Sequence, residues 1–192
     1  MEYKFTDQER LKIIVQKSVE QDLAWFKEQD INFNLKSGFF ILDYGKKLKT
    51  EFNRLCRGLI IRQPTTDSFD LLSLIVCFPF ERFFNYQEPH AHSVEFTKSY
   101  MLEKMDGSCI SVFFPERDPN KPAWSTRQMF NRHKEDVELM LRSIKTDEEF
   151  YLLPLVGEYV KKIDFSQVDL DYTYVFEFIH SEASVLTEYS ED

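Results

Sequence analysis

The 192-residue chain predicts an α+β fold, with mainly antiparallel sheets flanked by helices. Three observations carry this reading. Residues 6–28 place Leu11, Ile14, Val15, Val19, Leu23 and Phe26 at helical spacing, one apolar face of an amphipathic helix. Short aromatic and β-branched runs recur through the rest of the chain, the strongest being Tyr-Thr-Tyr-Val-Phe-Glu-Phe-Ile at 172–179. Turn signals at Asp43-Tyr44-Gly45, Gln63–Asp67 and Asp106-Gly107 separate those runs.

The elements follow in order. Thr6 and Glu9 have capping-box spacing at the start of the helix over 6–28. Residues 33–43 alternate loosely and end in Phe39-Phe40-Ile41-Leu42, a strand, and Lys46-Lys47-Leu48-Lys49 is a basic loop. Leu55–Arg62 and Phe69–Phe78 read as strands, and 89–92 as a polar link. His90 and His92 would share a strand face there, but no third metal ligand lies near in sequence. Tyr100–Leu102 and Ile110–Phe114 read as buried strands on either side of a turn. Residues 131–145 suggest a helix. A second helical segment over 147–162 opens with Asp147-Glu148-Glu149 and is interrupted by Pro154 and Gly157. Val185–Tyr189 is placed to pair with the strand at 172–179.

Composition narrows the class. Hydrophobic residues make up 43% and charged residues 30%, a globular, soluble balance with no run of transmembrane length. Met1-Glu2-Tyr3-Lys4-Phe5 lacks the basic start and apolar stretch of a secretory signal. Cys56, Cys77 and Cys109 show no Cys-x-x-Cys spacing, which points to free thiols in a reducing compartment and away from structural zinc. The net charge of −9 is uneven. The window 97–134 carries +3, with Lys98, Lys104, Arg117, Lys121, Arg127, Arg132 and Lys134 against Glu103, Asp106, Glu116 and Asp118, and leaves −12 for the remainder. An acidic body with a basic stripe suits a nucleotide and RNA-end binder, and also an ordinary acidic enzyme.

The stretch Lys104-Met105-Asp106-Gly107-Ser108 carries the chemistry. Glycine accepts positive φ at no steric cost, so Asp106-Gly107 reads as a tight turn with Lys104 at the end of the preceding strand. A lysine fixed beside a cleft can lose solvation and become a nucleophile. The same residues also suit a surface hairpin whose Lys104 and Asp106 are simply solvated.

The wider chain resembles the nucleotidyltransferase domain, ATP-grasp-like in fold, of bacteriophage-type, ATP-dependent tRNA-repair RNA ligases. Leu55-Cys56-Arg57-Gly58-Leu59-Ile60-Ile61 resembles the family's Cys-Arg-Gly strand. Phe78-Pro79-Phe80-Glu81-Arg82-Phe83-Phe84-Asn85-Tyr86-Gln87-Glu88 resembles its Lys-Phe-Phe-Asn-x-x-Glu segment, with Arg82 in place of the lysine. Lys104-Met105-Asp106-Gly107-Ser108 matches the nucleophile motif, and Trp124-Ser125-Thr126-Arg127 sits at a Ser/Thr-Lys or Ser/Thr-Arg segment. Phe176-Glu177-Phe178-Ile179 matches a Phe-Glu-Phe strand. The likeness spans 50–189, with 1–30 as an N-terminal helical part of one incomplete domain over 1–192.

The resemblance implies the roles. Lys104 attacks the α-phosphate of ATP, and the resulting AMP passes to a 5′-phosphate RNA end that a 3′-hydroxyl then attacks. Mg2+ and cationic side chains offset the phosphate charge. Arg57, Asp106, Gly107, Glu177 and Arg82 are the implied nucleotide contacts, Arg127 and Asn85 the RNA or phosphate contacts, and Glu177 the metal contact. The implied partners are ATP and RNA ends, tRNA among them, with no membrane, in the cytoplasm (the host cytosol for a viral protein). Strand alternation turns Phe176 and Phe178 to the core and leaves Glu177 opposite them whether it binds ligand or faces solvent. After Glu177 the family's Pro-x-Asn-Arg-Ile-Val run is replaced by His180-Ser181-Glu182-Ala183-Ser184-Val185-Leu186. The later carboxylate and lysine-pair motifs are missing, so the chain is expected to be truncated and unable to seal RNA alone. A separate polypeptide carrying those motifs is the corresponding partner. The alternatives are a non-catalytic nucleotide- or RNA-binding remnant, half of a split ligase, or another Lys-AMP or Lys-GMP enzyme.

Overall fold

A computed structural model describes residues 5–47, 50–66, 69–88, 91, 93–131, 140–142 and 149–180; at 130–131, 140–142 and 149–150 it describes the backbone alone. Helix α1 (Asp7–Glu20) opens with the capping box: Glu9 N–H donates to Thr6 Oγ1 at 3.3 Å, and Thr6 N–H donates to Glu9 Oε2 at 2.8 Å. The single helix expected over 6–28 is in fact two. Gln21 ends α1 in the left-handed region at φ 53°, and Asp22 caps α2 (Leu23–Glu28) by accepting from Trp25 N–H at 3.1 Å. The apolar face survives the break, because Ile14, Val15 and Phe26 enter one core.

Strands β1 (Ile31–Lys36) and β2 (Phe39–Tyr44) form a hairpin where one strand was expected. Ser37 and Gly38 join them, both at positive φ (49° and 81°), a twist that suits a two-residue hairpin turn. Asp43 and Tyr44, expected in a turn, belong to β2. β3 spans Arg57–Arg62, after a 3-10 turn at Asn53–Leu55, and β4 is only Ile75–Cys77, after a second at Leu72–Leu74. These four strands make an antiparallel sheet in the order β1-β2-β3-β4.

A second antiparallel sheet runs β10-β5-β6-β7. Its strands are β5 (Ser108–Phe113), β6 (Ala123–Ser125), β7 (Phe130–Asn131) and β10 (Tyr174–Phe178). Strands β8 (Met140–Arg142) and β9 (Glu149–Tyr151) pair separately, and α3 spans Leu152–Val160. The helix expected over 131–145 is therefore replaced by strand at both described ends; 132–139 and 143–148 lie outside the described residues. The helix expected from 147 begins at Leu152 and is not interrupted by Pro154, which falls in the first turn, where no backbone donor is needed. Gly157 is packing space: a Cβ there would lie 2.5 Å from Trp124 Cζ2. His90, His92 and Val185–Tyr189 also lie outside the described residues.

Three apolar clusters stack these layers. The first joins α1 and α2 to one face of the first sheet through Ile14, Phe26, Phe40, Leu42, Leu59 and Ile61. Between the two sheets lie Phe39, Ile41, Ile60, Cys77, Phe113 and Ala123. Ile110, Val112, Phe114 and Trp124 turn the other face of the second sheet onto Leu152, Leu153, Val156 and Val160. β2 is covered on both faces, so its sequence is a continuous apolar run and not an alternation. Antiparallel sheets with few helices match the predicted α+β class.

Candidate active site

The site lies at one end of the space between the sheets, and a bulge builds its first wall. Leu42 pairs with Leu59, but Asp43 pairs with Arg57, so Gly58 is the extra residue. Gly58 has φ +78°, a conformation that disfavours any side chain, and a Cβ there would lie 3.2 Å from Arg127 Cα. Leu59 and Ile61 face the helices while Ile60 faces the second sheet. Strict alternation would send Arg57 to the helix side; the bulge turns it to the inter-sheet side, opposite Asp43. Asp43 is 3% exposed there. Arg127 Nε lies 3.2 Å from Asp43 Oδ1, close enough to pair but not aligned as a hydrogen bond, and Gln128 Nε2 donates to Oδ2 at 2.8 Å. Burial pushes the Asp43 carboxyl above its usual range, with Gln128, Arg127 and Arg57 acting in the opposite direction.

Tyr44 stands next to Asp43 between two cations. The Arg82 guanidinium lies 4.4 Å from the ring centroid and that of Arg127 4.9 Å, while Arg127 Nη1 donates to Tyr44 Oη at 3.0 Å. Arg82 N–H donates to Arg54 O at 2.7 Å and ties the 78–88 segment to the 3-10 turn that precedes β3. Arg57 lies 5.0 Å from the Phe83 ring, which is 69% exposed, and Arg82 5.6 Å from that of Phe84. Asn85 is exposed on the following turn, its backbone N–H bonded to Glu88 Oε2.

The second wall comes from β5, β6 and β10. Phe113 and Ser111 point between the sheets, so Cys109 shares their face, and Glu177 lies directly opposite Cys109. Ser111 pairs with Ser125 at the end of β6, and Arg127 follows in the turn to β7, closed by Thr126 N–H donating to Met129 O at 2.8 Å. Glu177 Oε1 accepts from Gly107 N–H at 2.9 Å. Gly107 is not in the left-handed region expected of it; it is needed because a Cβ would collide with the Phe178 carbonyl oxygen. Phe178 packs on the α3 core as alternation requires, but Phe176, expected in the core, is 41% exposed.

The structure differs most from expectation before Lys104. Tyr100–Leu102 forms no strand, and Met101 is 99% exposed, so Lys104 extends from an irregular segment and not from a strand end. Its side chain is 85% exposed, and Nζ is paired with Asp106 Oδ1. The basic stripe is also mostly neutralised. Lys98 pairs with Glu95, Arg117 with Asp171, Lys121 with Glu116, Lys104 with Asp106 and Arg127 with Asp43; Arg132 and Lys134 lie outside the described residues.

All three thiols are unpaired. Cys77 is buried between the sheets and its thiol is pushed up to about 12, first by burial, with Thr173, Ser125 and Ser111 opposing the rise. Among the described residues no group of three or more His, Cys, Asp or Glu could hold a metal by itself. Glu177 keeps Oε2 without a hydrogen-bond partner among them. One such carboxylate fits Mg2+ bridged by substrate phosphates, the usual mode for that ion, and does not make a protein cage.

The structure thus brings Arg57, Arg127, Gly107 and Glu177 to one end of the inter-sheet space. Arg82 stands beside them on Tyr44, and Lys104 and Asp106 lead into Gly107. Asp43, Tyr44 and Gln128 were not foreseen; a glycine directly after an arginine inside a strand was the one available signal of a bulge. Compared with known proteins, no curated protein and no solved structure matches the chain. Residues 55–192, which hold every site residue named above except Asp43 and Tyr44, match the RNA ligase family of the T4 type. The match covers more than half of the chain, and the protein belongs to the T4-type RNA ligase family.

Proposed function

We propose that the protein is an ATP-dependent RNA ligase that joins 5′-phosphate and 3′-hydroxyl ends through lysyl-AMP on Lys104, in RNA repair with tRNA among its substrates. The observation that supports this reading best is the convergence of Arg57, Arg127 and Glu177 at the end of the sheets where Lys104-x-Asp106-Gly107 enters β5. Lys104 Nζ attacks the α-phosphorus, a P–N bond forms, and the bond to the β-phosphate oxygen breaks to release pyrophosphate. The amine must be deprotonated for this, and Asp106, paired with Nζ, orients it and accepts a proton. Arg57, Arg82 and Arg127 offset phosphate charge as it shifts to the leaving group. Glu177 would hold Mg2+, which would supply further charge neutralisation when bound. AMP then passes to the 5′-phosphate of RNA, and attack by the 3′-hydroxyl expels it.

The high exposure of Lys104 favours a second reading, a nucleotide- or RNA-binding protein without turnover. Incubation with ATP and Mg2+ followed by intact mass spectrometry separates the two. The ligase reading expects one AMP adduct that maps to Lys104, is lost in Lys104→Ala and persists in Lys98→Ala. No adduct, or one on a peptide lacking Lys104, overturns it.

A further inference from the structure

We infer that Asp43 is the positioning residue of this site: its buried carboxylate, with the Tyr44 hydroxyl as second anchor, fixes Arg127 so that Nη2 is left to meet a nucleotide phosphate. The inference rests on the nucleotide-binding reading above and adds to it a residue outside the matched segment. Arg127 uses Nε on Asp43 and Nη1 on Tyr44 Oη, and Nη2 has no partner among the described residues. A guanidinium held at two of its nitrogens loses little further freedom when the third meets an anion. Gln128 donates to the other oxygen of Asp43, so both carboxylate oxygens face the turn between β6 and β7 that carries Arg127. Arg57, brought opposite Asp43 by the Gly58 bulge, places a second cation on the same carboxylate. The Arg127 side chain is 36% exposed, so its free edge can be reached from solvent while its anchor cannot.

Charge and positioning predict opposite signs for Asp43→Asn. Removing a negative charge from a polyphosphate site should by itself tighten ATP binding. Loss of the anchor should weaken it. Titration calorimetry with ATP and with adenosine, on wild type, Asp43→Asn, Arg127→Ala and the double variant, decides between them. Asp43→Asn is expected to weaken ATP by about tenfold, as for loss of a charged contact, with adenosine affinity unchanged. The double variant is expected to be no weaker than Arg127→Ala, because both changes remove one interaction. Tyr44→Phe, which removes only the second anchor, should give a smaller loss of the same kind and serves if Asp43→Asn does not fold. Equal or tighter ATP binding in the folded variants overturns the inference, as do parallel losses for ATP and adenosine or additive losses in the double variant. A wild type that binds ATP but forms no adduct removes the ligase reading and leaves this inference to the affinity cycle. A wild type that binds no ATP overturns both.

Discussion

Gly58 and Gly38 allow an internally controlled test of how the site is built. Both glycines have strongly positive φ, +78° and +81°. Alanine at either position pays a left-handed strain of about 1–2 kcal/mol, partly offset by a less flexible unfolded chain. Those terms cancel in the comparison. What differs is the surroundings: a Cβ on Gly38 meets nothing within 4 Å, whereas one on Gly58 lies 3.2 Å from Arg127 Cα and 3.3 Å from Arg127 O. Backbone cannot swing aside as a side chain can, so Gly58→Ala should cost roughly 1–3 kcal/mol more, the range for overpacking. Relief by sliding β3 would remove the bulge and turn Arg57 away from Asp43. Urea unfolding of both variants at constant m-value, with ATP affinity measured beside it, is the assay. Gly38→Ala should lose about 1 kcal/mol and keep its affinity, while Gly58→Ala should lose more of both. Equal destabilisation by the two substitutions, or undiminished ATP affinity in Gly58→Ala, would refute the bulge as the device that aims Arg57.

Gly157→Ala should destabilise despite the gain in helix propensity of about 1 kcal/mol, since its Cβ would lie 2.5 Å from a ring atom of buried Trp124; a raised melting temperature would contradict that packing. Trp124→Phe removes the Nε1–H donor to Leu153 O at 2.8 Å and should cost about 1–3 kcal/mol in chemical denaturation, from the lost buried hydrogen bond and the space left by the smaller ring. Glu177→Ala should weaken nucleotide binding while leaving far-UV circular dichroism intact, and unchanged affinity would leave Glu177 as the structural partner of Gly107 alone. The helix caps should be acid-labile. Hydrogen bonds from Thr6 hold Glu9 below its usual value, and those from Lys17 and Trp25 do the same for Asp22. A carboxyl depressed by folding stabilises above its unfolded pKa, and that contribution is lost as pH falls through the folded value. Melting temperature should therefore fall on acidification below the ordinary carboxylate range, less steeply in Glu9→Gln; an unchanged slope would exclude the capping box as a contributor.

The chain alone determines its apolar helical face, its Thr6 cap, the strand character of β2, β3, β5 and β10, and the motif order that marks an RNA ligase. These are properties of residues a few positions apart, where side-chain period and turn chemistry act directly. The split at Gln21 and Asp22 was present as a polar pair, but helical periodicity on both sides concealed it. Tyr100–Leu102 shows the converse failure: an apolar run reads as a buried strand only if something covers it, and these side chains are exposed. Only the tertiary structure decided that Arg57 faces Asp43, that Arg127 crosses from the second sheet to Asp43 and Tyr44 on the first, and that Glu177 reaches back 70 residues to the Gly107 amide. The physical reason is that one extra residue in a ladder reverses the side-chain alternation beyond it, and the packing of one sheet on another selects whether that residue is accommodated. Sequence spacing placed Arg57 and Glu177 on the right strands; contact between distant strands determined which residues meet.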